Sequence, residues 1–427
     1  MFLRILPCFA CVQAWFSSQR AVDSGLVDVD PVKPTEPATS SPWEVLRIFT
    51  RLGCTSFGGP TAHLGYFRDE FVDKRKWFTD KDYADLVALC QFLPGPASSQ
   101  VGMAIGLQRA GYLGMFFAWV GFTLPSVLLM VAFALGVAQL GDISEAGWLL
   151  GLKAAAVAVV AQAVYGMTKS LVTGKIHAAI AVAALTVVLL VPHPLIQVAA
   201  IVLGIAVGLL FLRAEKTPEE TAQGSGSRTL GIVCLALFFV LLFALPVVAR
   251  LIGTTGAGIF DTFYRAGALV FGGGHVVLPL LESVTVGPGL VGHDTFLAGY
   301  GAAQAMPGPL FTFASFLGAS MEGTNWLLGA VIATVAIFLP AALLVLGAMP
   351  FWERLRQAPR AGAALAGANA AVVGILGAAL YTPVFTAGIT GVATLCIAVV
   401  CYAALTSWKV PPWAVVIGAG LVGWGVL

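Results

Sequence analysis

Two Pro-Gly-Pro triplets interrupt apolar stretches of the chain, and a glutamine stands three residues before each. The residues are Gln91, Pro94, Gly95 and Pro96 in the first copy and Gln304, Pro307, Gly308 and Pro309 in the second. Two prolines remove two backbone donors and prevent a continuous helix. Inside a membrane, the freed carbonyl and amide groups need protein, water or a ligand as partners. We therefore predict a helix break at each triplet and a polar site to which the glutamine amides contribute.

The helix that follows each triplet begins with groups suited to holding an anion. Its first N–H groups have no partner within the helix, and the positive end of the helix dipole lies there. Hydroxyl donors are added by Ser98 and Ser99 after the first triplet and by Thr312 after the second. The first half therefore supplies more of the predicted polar site. The alternative interpretation is a close helix crossing that requires small residues.

A second motif, Phe-Gly-Gly, is also duplicated, and its residues are Phe57, Gly58 and Gly59 and then Phe271, Gly272 and Gly273. Glycine permits a positive φ and a close approach of the backbone to a ligand. His63 and His275 follow the two motifs at unequal distances, and we expect them to add polar lining.

Isolated basic residues lie within the apolar stretches. Arg51 and Arg265 precede the two Phe-Gly-Gly motifs at matching distances. Because an ionisable residue inside a membrane is costly, each is a functional candidate, here as the countercharge of an anion. Extension of the side chain to the lipid headgroups is the alternative. We expect Lys153 to pair within the helix bundle or to form half of an asymmetric site.

The motifs belong to one internal duplication. The Phe-Gly-Gly motifs are 214 residues apart (57 to 271), the Pro-Gly-Pro triplets 213 (94 to 307) and two Leu-Pro pairs 215 (124 to 339). A duplicated apolar unit that is broken at matching places is typical of a secondary transporter.

Composition indicates a membrane protein and excludes several other classes. The 427 residues are 59% hydrophobic and 10% charged, whereas soluble domains carry about 25% charge. The net charge of +2 gives no sign of a nucleic-acid partner, and the seven cysteines lack metal-ligand spacing. With no hydrolase or nucleotide-binding motif, we predict a non-enzymatic, multi-pass protein of the inner or plasma membrane, surrounded by the lipid bilayer, without cofactor or metal.

The distribution of basic residues predicts that the two halves are inserted upside down relative to each other. Loop 68–81 is basic and its counterpart 281–294 has no Lys or Arg, whereas loop 139–146 has none and its counterpart 351–360 is basic. Basic loops stay in the cytoplasm. The predicted fold is all-α, an inverted-topology repeat with re-entrant hairpins at 82–108 and 294–321. Nine full spans are predicted, 384–406 among them.

The predicted organisation has four parts. They are a disordered N-terminal tail at 1–42, a first repeat at 43–213, a cytoplasmic linker at 214–228 and a second repeat at 229–427.

With these motifs in hand, the chain resembles the chromate ion transporter family in its long, two-domain form. In the first half the resemblance rests on Phe57-Gly58-Gly59-Pro60, Ala62-His63, Trp77 and Gln91 with its triplet. In the second half it rests on Phe271 to Pro279 and on Gln304 to Pro309. The resemblance covers residues 43–427 and implies efflux of chromate from the cytoplasm and chromate resistance.

Several alternatives remain open at this point. The motifs and the resemblance both indicate an anion, but chromate and sulfate are tetrahedral dianions of similar size. A sulfate or other oxyanion permease is therefore an alternative to chromate export, and a membrane sensor without flux is another. The sequence does not distinguish a monomer from a homodimer.

Overall fold

All regular structure in the described part of the chain is helical. The computed structural model describes residues 40–140, 146–191, 194–212, 227–271, 277–352 and 358–427. The helices of the first half are α1 Pro42–Thr55, α2 Gly59–Arg68, α3 Asp80–Phe92, α4 Ala97–Gln139, α5 Gly147–Leu171, α6 Lys175–Leu190 and α7 Pro194–Phe211. Those of the second half are α8 Arg228–Ile252, α9 Thr255–Ala268, α10 Val277–Thr285, α11 His293–Ala305, α12 Phe313–Ser320, α13 Trp326–Ala348, α14 Pro359–Ala379, α15 Val392–Thr406 and α16 Pro412–Val426.

Helices stop on both sides of each Pro-Gly-Pro triplet, as predicted. The residue before each triplet, Leu93 or Met306, has an extended backbone conformation. A proline disfavours the helical conformation of the residue before it, which explains both ends. Polar caps set other boundaries. The Thr79 hydroxyl accepts the Asp82 N–H (3.1 Å) at the start of α3. A re-entrant path through a bilayer stays a prediction.

Five helical segments in the described residues are long and apolar enough to cross a membrane. They are Ala97–Gln139, Gly147–Leu171, Arg228–Ile252, Trp326–Phe351 and Arg360–Gly388. The first is bent at Ala110 and Gly111, whose backbone angles are not helical. Shorter apolar helices include α6, α15 and α16.

The predicted span 384–406 is wrong as a continuous helix. A π-helical turn at Leu380–Phe385 comes first, and α15 starts only at Val392. A short helical stretch, Thr386–Gly388, follows that turn and ends at Ile389, whose backbone is extended. Gly391 then adopts an extended conformation just before α15.

The duplication is visible in the packing of the helices. Helix α1 packs on α4, and its counterpart α9 packs on α13. At these crossings Gly53 faces the Phe122 carbonyl, and Gly267 faces the Ile337 carbonyl, so closely that a Cβ would overlap in each case. Small residues allow such backbone contact between membrane helices.

The two halves interlock rather than forming separate lobes. Helix α14 of the second half packs on α6 and α7 of the first, while α5 of the first half packs on α15 and α16 of the second. Glycines make the close contacts here too, with Gly151 against the Ala419 backbone and Gly367 against the Gly204 backbone. A cavity at the boundary between the halves is therefore lined by residues of both halves.

Candidate functional site

The helix breaks of the two halves are hydrogen-bonded to each other. The Gly95 N–H donates to the Val270 carbonyl (2.7 Å), and the Gly308 N–H donates to the Ser56 carbonyl (2.9 Å). Val270 and Ser56 each stand directly before a Phe-Gly-Gly motif. Each Pro-Gly-Pro turn therefore contacts the Phe-Gly-Gly turn of the other half, in two equivalent arrangements.

Glycine is needed in these turns because the backbone adopts a positive φ. The φ angle is +98° at Gly58, +78° at Gly59, +119° at Gly95 and +94° at Gly308. Residues with a Cβ rarely adopt such angles. The predicted site residues Gly272, Gly273 and His275 lie outside the described residues.

The break at Gly308 is surrounded by polar side chains. A Cβ placed on Gly308 would lie 3.1 Å from the Ser126 Cβ. The Ser126 hydroxyl is 2.7 Å from the Thr312 hydroxyl, which donates to the Pro309 carbonyl (2.8 Å). Ser126 belongs to the first half and Thr312 to the second, so this pair of hydroxyls joins the halves beside the turn.

A buried histidine lies in the same region. The ring of His63 packs edge-on against Phe122 (5.3 Å between ring centroids), and the Phe122 carbonyl faces Gly308. His63 Nδ1 is 3.3 Å from the Ser98 hydroxyl. Buried polar atoms without a hydrogen-bond partner in the described structure include His63 Nε2 and the hydroxyls of Ser56, Ser99 and Thr123. Buried polar groups normally have partners, so these atoms are candidates to contact water or a ligand.

The equivalent break at Gly95 has apolar residues at two of the positions that are serines beside Gly308. Here Val270 takes the place of Ser56, and Ala341, 215 residues after Ser126, takes the place of that serine. A Cβ on Gly95 would lie 3.5 Å from the Ala341 Cβ. The nearest polar side chain, Gln100, donates its amide to the Pro94 carbonyl (2.8 Å), while its side-chain oxygen is buried without a partner in the described structure.

A pocket opens beside the polar break. Its volume is about 310 Å³, near the lower end of the roughly 300–1,000 Å³ of small-molecule sites. It is lined by Gly58, Gly59, Val159, Gln162, Ala303, Gln304, Met306, Gly308, Leu310, Leu405, Lys409, Val410, Pro411 and Pro412. Lys409 is the one charged residue in this lining, and both glutamines carry amide donors.

Three helical segments begin at this pocket. Helix α2 begins at Gly59, α16 begins at Pro412, and a 3-10 turn at Leu310–Thr312 leads into α12. No side chain caps the start of α2 or α16. Helix starts favour negative charge. A pocket with three such starts, one lysine and no acidic lining residue is suited to an anion.

Comparison with known proteins decides the family. The sequence model of the chromate transporter family matches residues 43–212 and 257–424. The chain belongs to the chromate transporter family. It is 31% identical over 420 residues to a chromate transport protein of Pseudomonas aeruginosa, covering 92% of this chain and 96% of that protein. A chromate transport protein of Cupriavidus metallidurans is 28% identical over 392 residues, covering 89% and 92%. No solved structure matches the chain.

Both arginines predicted to face the anion are paired with carboxylates in this family member. Arg51 forms an ion pair with Glu70 (2.5 Å) and Arg265 with Asp261 (2.8 Å). Glu70 also accepts from Arg75 (2.8 Å), and its side chain is only 4% exposed. Burial raises the pKa of Glu70, but the hydrogen bonds from Arg75 and Arg51 outweigh burial and leave it below its usual value. Glu70 therefore stays ionised as the centre of this cluster.

The remaining predicted residues divide between the two breaks. Gln304 lines the pocket, whereas Gln91 is exposed and is not part of its lining. Phe57 is half-buried and packs against Trp413 (5.7 Å between centroids). The triplet Pro94-Gly95-Pro96 contacts Val270, and the triplet Pro307-Gly308-Pro309 contacts Ser56 and contributes Gly308 to the pocket lining.

An ion pair joins the halves elsewhere. Lys153 of α5 contacts Asp294 in the first turn of α11 (2.6 Å). Of the two roles considered for Lys153, this contact corresponds to pairing within the bundle. Helix α11 leads directly to the polar break, so the pair holds it against the first half.

Sequence reasoning missed three residues at the site, Ser126, Gln162 and Lys409. Ser126 and Gln162 lie in long apolar helices where nothing distinguishes them by spacing. Lys409 had a signal, because it is the only charged residue from Ala361 to Leu427.

Proposed function

We propose that the protein is a secondary transporter that exports chromate, or a closely similar tetrahedral oxyanion, from the cytoplasm across the plasma membrane. One observation carries the proposal, namely the pocket beside the Gly308 break with its helix starts, amide donors, lysine and lack of acidic lining. The relatives named chromate transport protein support chromate as the substrate.

The chemistry of the pocket is suited to an oxyanion. The oxygens of a chromate dianion only accept hydrogen bonds, so the site must offer donors. Gln304 lines the pocket, and its buried side-chain nitrogen is a hydrogen-bond donor. Backbone N–H groups at helix starts can bind an anion without carrying a charge themselves.

Export of a dianion needs no further energy source in a cell that is negative inside. Each elementary charge gains about 2.3 kcal/mol per 100 mV as it leaves. The pocket, built from both halves beside the crossing of the breaks, would open to one side at a time as the halves move. Such export confers chromate resistance.

Chromate uptake by inside-out membrane vesicles tests the proposal. We expect uptake that rises when the vesicle interior is made positive, because this orientation mimics export. Vesicles from cells lacking the protein are the control. If vesicles with correctly inserted protein accumulate no more chromate than the control, export is refuted. Equal competition by excess sulfate would identify a general dianion transporter instead.

A further inference from the structure

We propose that Lys409, rather than the duplicated arginines, is the cation that attracts and holds the transported anion. The inference rests on the proposed function, because it assigns the positive charge of that same pocket. Its basis is the contrast between basic residues that already have a carboxylate partner and one that does not.

The duplicated arginines are poorly placed to act as countercharges. An anion at Arg51 would compete with the fixed carboxylate of Glu70, and one at Arg265 would compete with Asp261. Neither arginine lines the pocket. Both arginines therefore have a structural role in the described conformation.

Lys409 differs from the arginines both in its position and in its partners. It lines the pocket, and it forms no ion pair with a carboxylate in the described part of the chain. The amides of Gln162 and Gln304 line the same cavity. A lysine without a competing acid, next to helix starts, attracts anions over a longer range than the neutral donors do.

The backbone holds Lys409 in a conformation that few residues accept. Its φ is +53°, in the left-handed region. Hydrogen bonds fix the segment on both sides, from the Trp408 N–H to the Ala403 carbonyl (3.3 Å) and from the Val410 N–H to the Ala404 carbonyl (2.9 Å). Disfavoured backbone of this kind tends to be retained at functional sites. The lysine is thus attached to a fixed turn.

The predicted orientation places this lysine where an exported anion would enter. Basic loop 351–360 is predicted to be cytoplasmic. If α14 and α15 each cross the membrane, the chain returns to the cytoplasmic side at Lys409. A purely topological role is the competing explanation, because a lysine in a short loop also helps to fix orientation. The test must therefore separate affinity from orientation.

The experiment compares the KM and the maximal rate of chromate uptake by inside-out vesicles for four proteins. They are the parent, Lys409→Gln, Lys409→Arg and the control Lys169→Gln. Lys169 is also an exposed lysine, in the last turn of α5, but it does not line the pocket. We expect a KM about tenfold higher for Lys409→Gln, equivalent to about 1.4 kcal/mol. Lys409→Arg should recover most of the affinity, and the control should match the parent.

Several outcomes would overturn the assignment. One is an unchanged KM in Lys409→Gln while the parent transports, and another is an equal rise in Lys169→Gln. A protease-accessible C-terminal tag reports orientation, and its inversion in Lys409→Gln would assign the lysine to topology alone.

Binding of radiolabelled chromate to the purified protein tests the assignment of Lys409 separately from the proposed export. If the parent moves no chromate, export fails, but binding still tests the lysine. Weaker binding by Lys409→Gln than by the parent then supports the assignment. Equal binding by both, or binding by neither, overturns it.

Discussion

Replacing Gly308 by alanine tests whether the close crossing of the two breaks maintains the architecture of the site. Gly308 combines a positive φ with a close approach to the first half. Two other glycines provide matched comparisons. Gly323 has a positive φ but open space around it, and Gly95 occupies the equivalent break.

The expected destabilisation by each substitution follows from the backbone angle and the neighbours of the glycine. A left-handed backbone costs a residue with a Cβ about 1–2 kcal/mol. At Gly308 the methyl group would also lie 3.1 Å from the Ser126 Cβ and 3.2 Å from the Phe122 carbonyl oxygen. Overpacking of this kind adds about 1–3 kcal/mol. Gly308→Ala should therefore destabilise the protein by about 2–5 kcal/mol, and Gly323→Ala by about 1–2 kcal/mol.

The loss of stability in Gly95→Ala should lie between the losses in Gly308→Ala and Gly323→Ala. Its nearest neighbour would be the Gln100 side-chain nitrogen at 3.1 Å, the end of a flexible side chain that can move away. The assay is the midpoint of thermal unfolding of each purified variant in one detergent, with chromate uptake measured in parallel. The lowest midpoint is expected for Gly308→Ala. Equal losses in Gly308→Ala and Gly323→Ala would refute the reasoning, because backbone angle alone would then explain both.

Four further substitutions test three individual contacts. Ser126→Ala should cost only about 0.5–1.5 kcal/mol, as for one hydrogen bond, because Thr312 keeps its backbone acceptor; a larger fall in the unfolding midpoint would contradict this. The stabilisation from the lowered pKa of Glu70 is present above about pH 4.3 and is lost as the pH falls through its folded-state pKa; Glu70→Gln should remove this acid-dependent fall in the midpoint. Asp294→Asn leaves Lys153, 4% exposed, without its partner and should cost about 3–5 kcal/mol. Lys153→Met should cost less, since Asp294 is 38% exposed, and the reverse order of midpoints would be evidence against a desolvated lysine.

Much of the fold could be predicted because its signals are local. Pro94 and Pro307 stop helices whatever surrounds them, so both breaks followed from residue type alone. The failure at 384–406 has the opposite origin. That stretch is largely apolar, and hydropathy does not register a short non-helical interruption such as the one at Ile389 and Gly391.

The candidate site was harder to predict because its parts are distant in sequence. The duplication identified Gly58 and Gly308 as site residues. It did not predict that each Pro-Gly-Pro turn contacts the Phe-Gly-Gly turn of the other half, because that contact depends on how the helices cross. The ion pair of Arg51 with Glu70 had no signal in the sequence, because Glu70 lies 19 residues later and has no counterpart in the duplicated motifs. Lys409 carried no duplication signal, because the first half has no equivalent lysine.

The two copies of the duplicated unit are no longer equivalent, because the side chains beside their breaks differ in polarity. Ser126 and Ala341 stand at equivalent positions, yet one side carries paired hydroxyls and the other a methyl group. Once joined in one chain, the two copies could diverge independently, and each has specialised. A chain made of two first halves would contain the serine twice but neither Thr312 nor Lys409, and one made of two second halves would lack both His63 and Ser126. The halves are alike in their motifs, but the side chains beside their breaks differ.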